Sequence, residues 1–308
     1  FYVLAALDRL HRFDASGPHR GQRPAVLLNS LALGCFDGFH RAHRMITSSA
    51  AELARRLSAA GDVLLPGAFC FSDPPAAFFG KDVPIITDTA EKCRLFAEAG
   101  LAFALVADFS AVREMPPADF MRGLLYGDCR CRAAACGFNF TFGKNAEGTP
   151  RDLESFFGAD RVSVCAPLLS DGETVSSSRI RRLIAEGDIP QANALLGHPF
   201  SVCGTVRHGR GDGKKLGFPT INQLPADGAL RPAAGVYVSA VKLPGSDALL
   251  RPAGPRASSR ATRTPRAASP CGRAARRTPS RPRTPCKRSS QRAGTRHACG
   301  APFATCAP

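Results

Sequence analysis

The segment at residues 31–43 constrains the fold of this chain more than any other part of the sequence. It reads LALGCFDGFHRAH: a short apolar run, a glycine, an Asp-Gly turn and two histidines three residues apart. Residues 31–33 have the pattern of a buried parallel strand, and from Arg44 onward apolar residues recur at helical spacing. In an open α/β sheet, ligands bind where a strand gives way to a helix, and the free N–H groups of the first helical turn favour an anion. The segment therefore predicts a phosphate-binding turn.

The side chains of this turn suit a phosphate. Gly34 and Gly38 allow the backbone to come close to a bound group. His40 and His43 fall on the same side of one helical turn, where both can donate to phosphate oxygens as charge builds in a transition state. Two histidines alone are explained about equally well as phosphate donors or as residues that are incidental or bind a metal. The glycines, the aspartate and the strand before them favour the phosphate.

The body of the chain alternates strand-like and helix-like segments. The predicted strands are residues 31–36, 63–71, 101–107, 131–137 and 161–166. The predicted helices are residues 44–60, 88–99, 117–126, 151–157 and 190–196. The second of these helices starts at a capping-box-like pair, Asp88 and Glu91, and stops at Gly100. This order with short connections predicts an α/β fold, a five-stranded parallel sheet covered on both faces by helices.

The net charge of +16 invites a nucleic-acid interpretation, but the charge is unevenly distributed. Fourteen of the 41 Lys and Arg lie between Arg251 and Arg296, and no acidic residue follows Asp247. The remaining chain carries 27 basic groups against 25 acidic ones and is close to neutral. The basic C-terminal part has one aromatic residue, Phe303, so base stacking is not available there. We expect only non-specific, salt-sensitive attraction to nucleic acid.

The positions of the cysteines and the hydropathy of the chain indicate the cellular compartment of the protein. Most cysteines before residue 204 sit in apolar runs, where a reduced thiol behaves as a small hydrophobe. Cys129 and Cys131 are two residues apart, but no second pair has zinc-ligand spacing. No apolar run reaches about eighteen residues, and the N-terminus has no secretion-signal pattern. These features predict a cytoplasmic protein without a membrane span, and they leave its oligomeric state open.

The motif G-x-F-D-G-x-H-x-x-H resembles the nucleotidyltransferases with an H-x-G-H signature. It is most similar to the adenylyltransferase half of the prokaryotic bifunctional riboflavin kinase/FMN adenylyltransferases, also called FAD synthetases. Ala42 replaces the usual glycine between the histidines, and Cys35 stands where asparagine is frequent. The resemblance implies a Rossmann-like nucleotidyltransferase domain. Its implied ATP- and flavin-binding residues in the turn are Gly34, Phe36, Asp37 and Gly38, and its implied catalytic residues are His40 and His43.

Two loops extend this resemblance. Residues 70–80, CFSDPPAAFFG, look like the flavin-side loop of the family, which usually reads F-x-x-H-P; here Asp73 or Pro74 stands near the histidine position. Residues 137–143, GFNFTFG, interleave three aromatics between glycines, with Asn139 available for a phosphate or ribose. On its own this pattern is better explained as a strand-turn carrying core phenylalanines. Its similarity to the family's G-x-N-F-x-F-G favours a loop that packs an adenine or flavin ring.

The segment VSSSRIRR, residues 175–182, places three serines before a helix. The serines make an N-cap rich in donors, and Arg181 is placed to grip phosphate with its planar guanidinium. Serine-capped basic helices are common, so this pattern alone is not specific. In the family the similar S-S-T-x-I-R closes over the ATP triphosphate, which implies that role for Ser177, Ser178 and Arg181 and makes Arg181 the third implied catalytic residue.

Beyond residue 200 the pattern turns to β and resembles the opening of a riboflavin kinase, G-x-V-x-x-G followed by G-x-x-L-G-F-P-T-x-N. Gly209 and Gly217 allow a loop over phosphates, while Thr220 and Asn222 put two neutral oxygen ligands on one face of an extended segment. Such ligands suit Mg²⁺ bridging ATP phosphates. The tripeptide Gly-Val-Tyr at residues 235–237 continues the match, which stops after about Ser246.

Residues 249–308 are rich in Arg, Pro, Ala, Ser and Thr and contain no acidic residue, a composition that predicts disorder. The remaining barrel strands, a glutamate base and the terminal helix of a riboflavin kinase are therefore missing. Because this composition is typical of a GC-rich gene translated in the wrong frame, we infer a frameshift near residues 243–250. An incomplete kinase-like barrel should be inactive toward riboflavin.

These observations give four regions: an FMN adenylyltransferase domain at 1–186, a linker helix at 187–198, a partial kinase domain at 199–248 and the tail at 249–308. The expected reaction transfers AMP from ATP to FMN with Mg²⁺, giving FAD and pyrophosphate; riboflavin is the substrate of the family's kinase half. One alternative is another H-x-G-H adenylyltransferase, acting on nicotinate mononucleotide or phosphopantetheine, although those enzymes lack the kinase-like segment. The other is a non-catalytic nucleic-acid binder acting through the tail.

Overall fold

The computed structural model describes residues 2–5, 28–60, 63–80, 82–215, 217, 220–242, 249–250 and 259–260. The chain divides into two compact units, Phe1–Arg263 and Thr264–Pro308, and all described residues lie in the first.

A parallel sheet of six strands forms the centre of the described fold. The strands are β1 (Tyr2–Ala5), β2 (Leu28–Leu33), β3 (Leu64–Phe71), β4 (Phe103–Ala107), β5 (Cys131–Gly137) and β6 (Val162–Cys165). Their spatial order is β1-β4-β3-β2-β5-β6. All five predicted strands are present, and the sequence missed β1, which pairs with β4 at the edge. Strands β3 and β4 lie on one side of β2, and β5 and β6 lie on the other, so the strand order reverses at β2. This is the topological switch point at which open α/β sheets bind ligands.

Helices cover the sheet and connect its strands. They are α1 (Arg41–Ala59), α2 (Pro75–Phe78), α3 (Thr89–Glu98), α4 (Phe109–Val112), α5 (Pro117–Asp119), a π-helix (Phe120–Asp128) and α6 (Pro150–Phe157), with short 3₁₀ turns at Lys144–Ala146 and Ala159–Arg161. Helix α3 begins after Asp88, whose carboxylate accepts the N–H of Glu91 at 2.8 Å, as predicted. Glu91 does not complete a capping box, because its carboxylate pairs with Arg94 and Ser201 instead.

Two hydrophobic cores lie on the two faces of the sheet. The first packs α1 and α3 against β2 and β3 through buried residues that include Ala50, Leu53 and Phe96. The second packs the π-helix and α6 against the other face, through residues that include Leu124 and Leu153. Apolar strands buried on both faces are what a parallel sheet requires.

A third core joins the end of the sheet domain to the segment that follows it. It is formed by Ile86, Val175, Ile180, Ile184, Ala192, Leu195, Leu196 and Leu230. The helices involved are α7 (Ser177–Glu186) and α8 (Ile189–Leu196), which follow a short hairpin of β7 (Leu169–Ser170) and β8 (Glu173–Thr174). The predicted linker helix at 187–198 is therefore a packed part of the body, since α8 contributes three fully buried side chains to this core.

The kinase-like region consists of short antiparallel pairs. Strand β9 (Gly204–Arg207) pairs with β10 (Asn222–Pro225) around α9 (Asp212–Lys215), β11 (Val236–Tyr237) pairs with β14 (Ser259–Arg260), and β12 (Val241–Lys242) pairs with β13 (Leu249–Leu250). The predicted tail lies outside the described residues except for β13 and β14. These four residues pair with earlier strands of the kinase-like region. No helix in the described part of the chain is both long and apolar enough to cross a membrane.

Candidate active site

The turn between β2 and α1 is built on strained backbone. Strand β2 ends at Leu33, three residues before the predicted end, because residues 34–40 leave the sheet. Phe36 and Phe39 are fully buried and have φ angles of 56° and 37°, in the left-handed region that non-glycine residues seldom adopt. Their rings are held edge-on against Phe96 at centroid distances of 5.3 and 5.2 Å. Strain maintained by surrounding packing is typical of functional sites.

Gly38 completes the turn with φ +82°. A Cβ at this position would lie 3.1 Å from the Ile86 side chain, and the Gly38 N–H donates to Thr87 Oγ1 at 2.7 Å. Both the conformation and the close packing therefore require glycine.

His40 and His43 lie together at the start of α1, which begins at Arg41 rather than at the predicted Arg44. His40 is the N-cap: its Nδ1 accepts the backbone N–H of His43 at 3.3 Å, and the two rings stack with centroids 3.6 Å apart. Because Nδ1 of His40 is an acceptor, the neutral ring carries its proton on Nε2. Nδ1 of His43 is buried and has no hydrogen-bond partner among the described residues.

Burial keeps both imidazoles neutral. It lowers the pKa of His40 to about 4, an effect reinforced by the neighbouring Arg181 and His198. Burial, with smaller contributions from His40 and Lys92, lowers the pKa of His43 well below its usual range. The histidines are therefore neutral N–H donors at physiological pH rather than imidazolium cations.

Asp37 ties the turn to two other elements. Its buried carboxylate accepts the backbone N–H groups of Ile86 and Thr87, each at 3.0 Å, and pairs with Nη2 of Arg181 at 2.5 Å. Nε of Arg181 donates to the carbonyl of Pro84 at 2.8 Å. Both Asp37 oxygens and two of the three guanidinium nitrogens are thus engaged within the protein. Asp37, which was expected to bind nucleotide, acts here as a structural anchor, and Arg181 offers only Nη1 to a ligand.

The serines of the VSSSRIRR segment have different positions. Ser176 is the N-cap of α7 and accepts the N–H of Arg179 at 3.3 Å. Ser177 donates its hydroxyl to the carbonyl of Asp37 at 2.8 Å, so this hydroxyl also holds the turn. Ser178 is exposed. The guanidinium of Arg179 is fixed by the β7–β8 hairpin, including Glu173 at 3.0 Å, an interaction that the sequence did not indicate.

The loop after β5 lies at the same edge of the sheet as the turn, because β2 and β5 are paired and parallel. Asn139 is exposed at its tip, where the N–H of Phe140 donates to the carbonyl of Gly137 at 3.0 Å. Phe138 is half-exposed, whereas Phe142 is buried and stacks on Phe120 in the second core. The expectation that three aromatics pack a ligand ring is therefore wrong for Phe142.

An exposed aromatic cluster follows β3 and β4. Phe78 and Phe79 end the short α2 helix with exposed fractions of 46% and 63%, and both contact Phe109, with ring centroids 5.8 and 6.0 Å away. Arg113 lies over Phe78 at 4.8 Å. Asp73, at the position of the family histidine, accepts the hydroxyl of Ser72 at 2.9 Å. Sequence reasoning located this loop but did not identify the cluster, because Phe109 comes from another connection.

The predicted kinase residues Gly209, Gly217, Thr220 and Asn222 are all exposed. Gly217 has φ +77°, and the Asn222 side chain lies against Gly209, where an added Cβ would be 2.0 Å from Nδ2. No group of three or more His, Cys, Asp or Glu side chains in the described ranges could hold a metal. Two neutral oxygens suit Mg²⁺ only as part of a set completed by phosphate and water.

The chain beyond α8 contacts the turn by two routes that the sequence did not reveal. Nε2 of His198 lies 3.0 Å from the carbonyl of Gly38. Farther along, the N–H of Ile85 donates to the carbonyl of Gly228, and the N–H of Leu230 donates to the carbonyl of Ile85, both at 2.8 Å. The loop that holds Asp37 is thereby paired with the kinase-like region.

The chain is similar to known protein families and to a solved structure. The family model described as FAD synthetase matches residues 26–179, half of the chain, and the one described as riboflavin kinase matches residues 196–270. The second match extends beyond the point where the resemblance was expected to stop. A crystal structure described as a macrolide-efflux protein from Streptococcus pneumoniae is 25% identical, with a TM-score of 0.64 over 80% of this chain and 76% of that chain.

Curated bifunctional riboflavin kinase/FMN adenylyltransferases are also similar to the chain. The protein of Bacillus subtilis is 30% identical, over 71% of this chain and 69% of its own length. The protein of Listeria monocytogenes is 31% identical and that of Escherichia coli 32% identical, each over 67% of this chain and 66% of its own length. The matched region thus spans about two thirds of the length of these relatives. The protein belongs to the bifunctional riboflavin kinase/FMN adenylyltransferase family, with its FAD synthetase domain at residues 26–179.

Proposed function

We propose that this chain is an FMN adenylyltransferase that transfers AMP from ATP to FMN, giving FAD and pyrophosphate. The observation that carries this proposal is the strained turn at the switch point of the sheet, where two neutral histidines lie at the N-terminus of α1. The identity of the family supports flavin as the acceptor class.

In the proposed reaction an oxygen of the FMN phosphate attacks the α-phosphorus of ATP. A new P–O bond forms as the bond from the α-phosphorus to the bridging oxygen breaks, and the electron pair leaves with pyrophosphate. The nucleophile is already an anion, so no general base is required. The protein accelerates the step by positioning the reactants and by stabilising charge on the phosphates.

The turn and α1 supply that stabilisation. The first-turn N–H groups and the positive end of the helix dipole attract the triphosphate. Nε2–H of His40 and the imidazole of His43 donate to oxygens whose charge grows as pyrophosphate leaves. Neutral histidines suit this role, because they donate without having to lose a proton first.

Other residues would hold the substrates. Asn139 at the loop tip and the exposed Ser178 can donate to phosphate or ribose, and Nη1 of Arg181 can reach a phosphate while the rest of its guanidinium stays paired. The exposed Phe78 and Phe79, which contact the partly buried Phe109, offer an apolar surface for the flavin ring.

Mg²⁺ would accompany ATP and neutralise phosphate charge in both reactions of the family. In the kinase-like region Thr220 and Asn222 would bind it together with phosphate oxygens. The eight cysteines described by the structure are all free thiols, which supports a cytoplasmic location.

We further propose that the chain does not phosphorylate riboflavin. Phosphoryl transfer needs a metal, a phosphate loop and an oriented nucleophile together, and the sequence after Asp247 contains no acidic residue to serve as base. The purified chain should form no ADP and no FMN from ATP and riboflavin. Riboflavin-dependent ADP formation would refute this, and it would also argue against a frameshift near residues 243–250, which resequencing of the gene tests directly.

The test of the main proposal is a panel of acceptors. The purified chain is incubated with ATP and Mg²⁺ and with FMN, nicotinate mononucleotide or phosphopantetheine, and pyrophosphate release is measured. We expect release only with FMN. Release only with another acceptor would assign the turn to a different adenylyltransferase.

A further inference from the structure

Lys92 is a buried lysine that no carboxylate of the described residues neutralises. It lies on α3 with 1% of its surface exposed, and its Nζ donates to the carbonyl of Phe71 at 2.9 Å. Among the described residues, no Asp or Glu forms an ion pair with it. Burying an ammonium group without a counter-charge is costly, and lysines are almost never fully buried unless paired. Such a group needs an explanation outside simple packing.

The position of Lys92 relates it to the phosphate turn. The register of the sheet pairs Leu33 of β2 with Phe69 of β3, and the N–H of Gly34 donates to the carbonyl of Phe69. Phe71, two residues farther along β3, is therefore level with Cys35, the second residue of the turn. The Lys92 ammonium, bonded to the Phe71 carbonyl, lies beneath this turn at the carboxyl end of the sheet.

Among the residues that the structure describes, the charged groups around the turn do not compensate the charge of Lys92. Asp37, the carboxylate of the turn, is already paired with Arg181. The charge of Lys92 also influences the turn and α1: it opposes the burial-induced rise in the pKa of the Cys35 thiol and contributes to the low pKa of His43. The other groups that act on the two imidazoles are Arg181 and His198.

We propose that Lys92 is a positioning residue of the adenylyl-transfer site, whose buried and unpaired charge attracts phosphate anions to the turn above it. This inference rests on the proposed function. Lys92 does not touch the substrate, since almost none of its surface is accessible. It acts through the turn, where the low dielectric of the interior weakens its field less than water would. It also favours the neutral, donating form of His43.

The experiment compares two neutral variants, K92M and K92Q, with the control R55Q, which removes one exposed positive charge on the outer side of α1. K92Q retains an N–H donor in place of the ammonium, and K92M does not. Pyrophosphate is the binding probe and is titrated by calorimetry without FMN; urea unfolding and the pH dependence of kcat/KM for ATP are measured in parallel.

We expect both Lys92 variants to bind pyrophosphate about tenfold more weakly, a loss of about 1.4 kcal/mol, because a buried positive charge near the turn has been removed. The acid limb of the kcat/KM profile should move to higher pH, because the pKa of His43 rises when the nearby charge is removed. The urea midpoint should be unchanged or higher, because a buried charge without a counter-charge has been replaced. R55Q should change none of these quantities.

Unchanged pyrophosphate affinity in the two variants would overturn the proposal. Unfolding of both would also contradict it and assign Lys92 a structural role. Pyrophosphate binding that depends on Lys92, in a protein that forms no FAD, would preserve this inference while refuting the proposed function.

Discussion

Replacement of Asp37 by asparagine tests whether the phosphate turn is held by a buried ion pair. The Asp37 side chain is 3% exposed and that of Arg181 is 17% exposed, with 2.5 Å between the paired atoms. D37N removes the charge but keeps the shape, which leaves the guanidinium with its carbonyl partner and no counter-charge. Breaking a buried pair by removing one partner costs about 3–5 kcal/mol. We expect D37N to lose that much free energy of unfolding.

The assay is urea unfolding followed by far-ultraviolet circular dichroism, with exposed Asp119 replaced by asparagine as a control that should change stability by less than about 0.5 kcal/mol. A double-mutant cycle adds R181M and the D37N/R181M double variant. Because each single change leaves the partner uncompensated, the double variant should lose less stability than the sum of the two singles. A cost below about 1 kcal/mol for D37N, or strict additivity in the cycle, would refute the reasoning.

Three further predictions follow from the site. His43→Ala should lower the turnover number about 10²- to 10³-fold, because it removes a hydrogen-bond donor that acts in the transition state, and it should leave the urea midpoint nearly unchanged. Unaltered turnover would show that His43 takes no part in the mechanism. Burial lowers the pKa of His40 from about 6.5 in the unfolded chain to about 4 in the folded protein. The stability that depends on neutral His40 is therefore complete above pH 6.5 and is lost as the pH falls toward 4, by up to about 3 kcal/mol. Unfolding titrations across this pH range should show a shallower pH dependence for His40→Asn than for the wild type. Deletion of Thr264–Pro308, the second unit, should leave FAD formation unchanged, whereas loss of activity would show that the basic tail takes part.

The sequence predicts the order of elements because each of them carries a local signal. The apolar strands, the Asp88 cap and the serine cap of α7 depend on residues close together in the chain, and these features are present in the structure. The five-stranded core of the sheet follows from the alternation of strand and helix alone.

The features that the sequence did not reveal depend on distant contacts. Asp37 and Arg181 are 144 residues apart, and nothing local to either indicates that they pair rather than bind substrate. The left-handed backbone of Phe36 and Phe39 is maintained by Phe96 on another helix. The expectation that Gly34 and Gly38 shape this turn therefore describes only part of its geometry.

The packing of the predicted linker helix also depends on distant contacts. Helix α8 has the length of a connector, but its buried face is completed by Ile86 and by Leu230, which lies beyond it in the kinase-like region. Domain boundaries inferred from composition do not detect such shared cores. The predicted division at residue 198 therefore separates residues that pack together.

The most direct test of the central claim is the stoichiometry of the reaction in the purified 308-residue chain. FMN, ATP and Mg²⁺ are supplied, FAD is quantified by chromatography, and pyrophosphate is measured in the same samples. We predict one pyrophosphate released for each FMN consumed and each FAD formed, with no product in the absence of ATP. Pyrophosphate release without FAD, or no consumption of FMN by a folded protein, would contradict the assignment of the turn to FMN adenylylation.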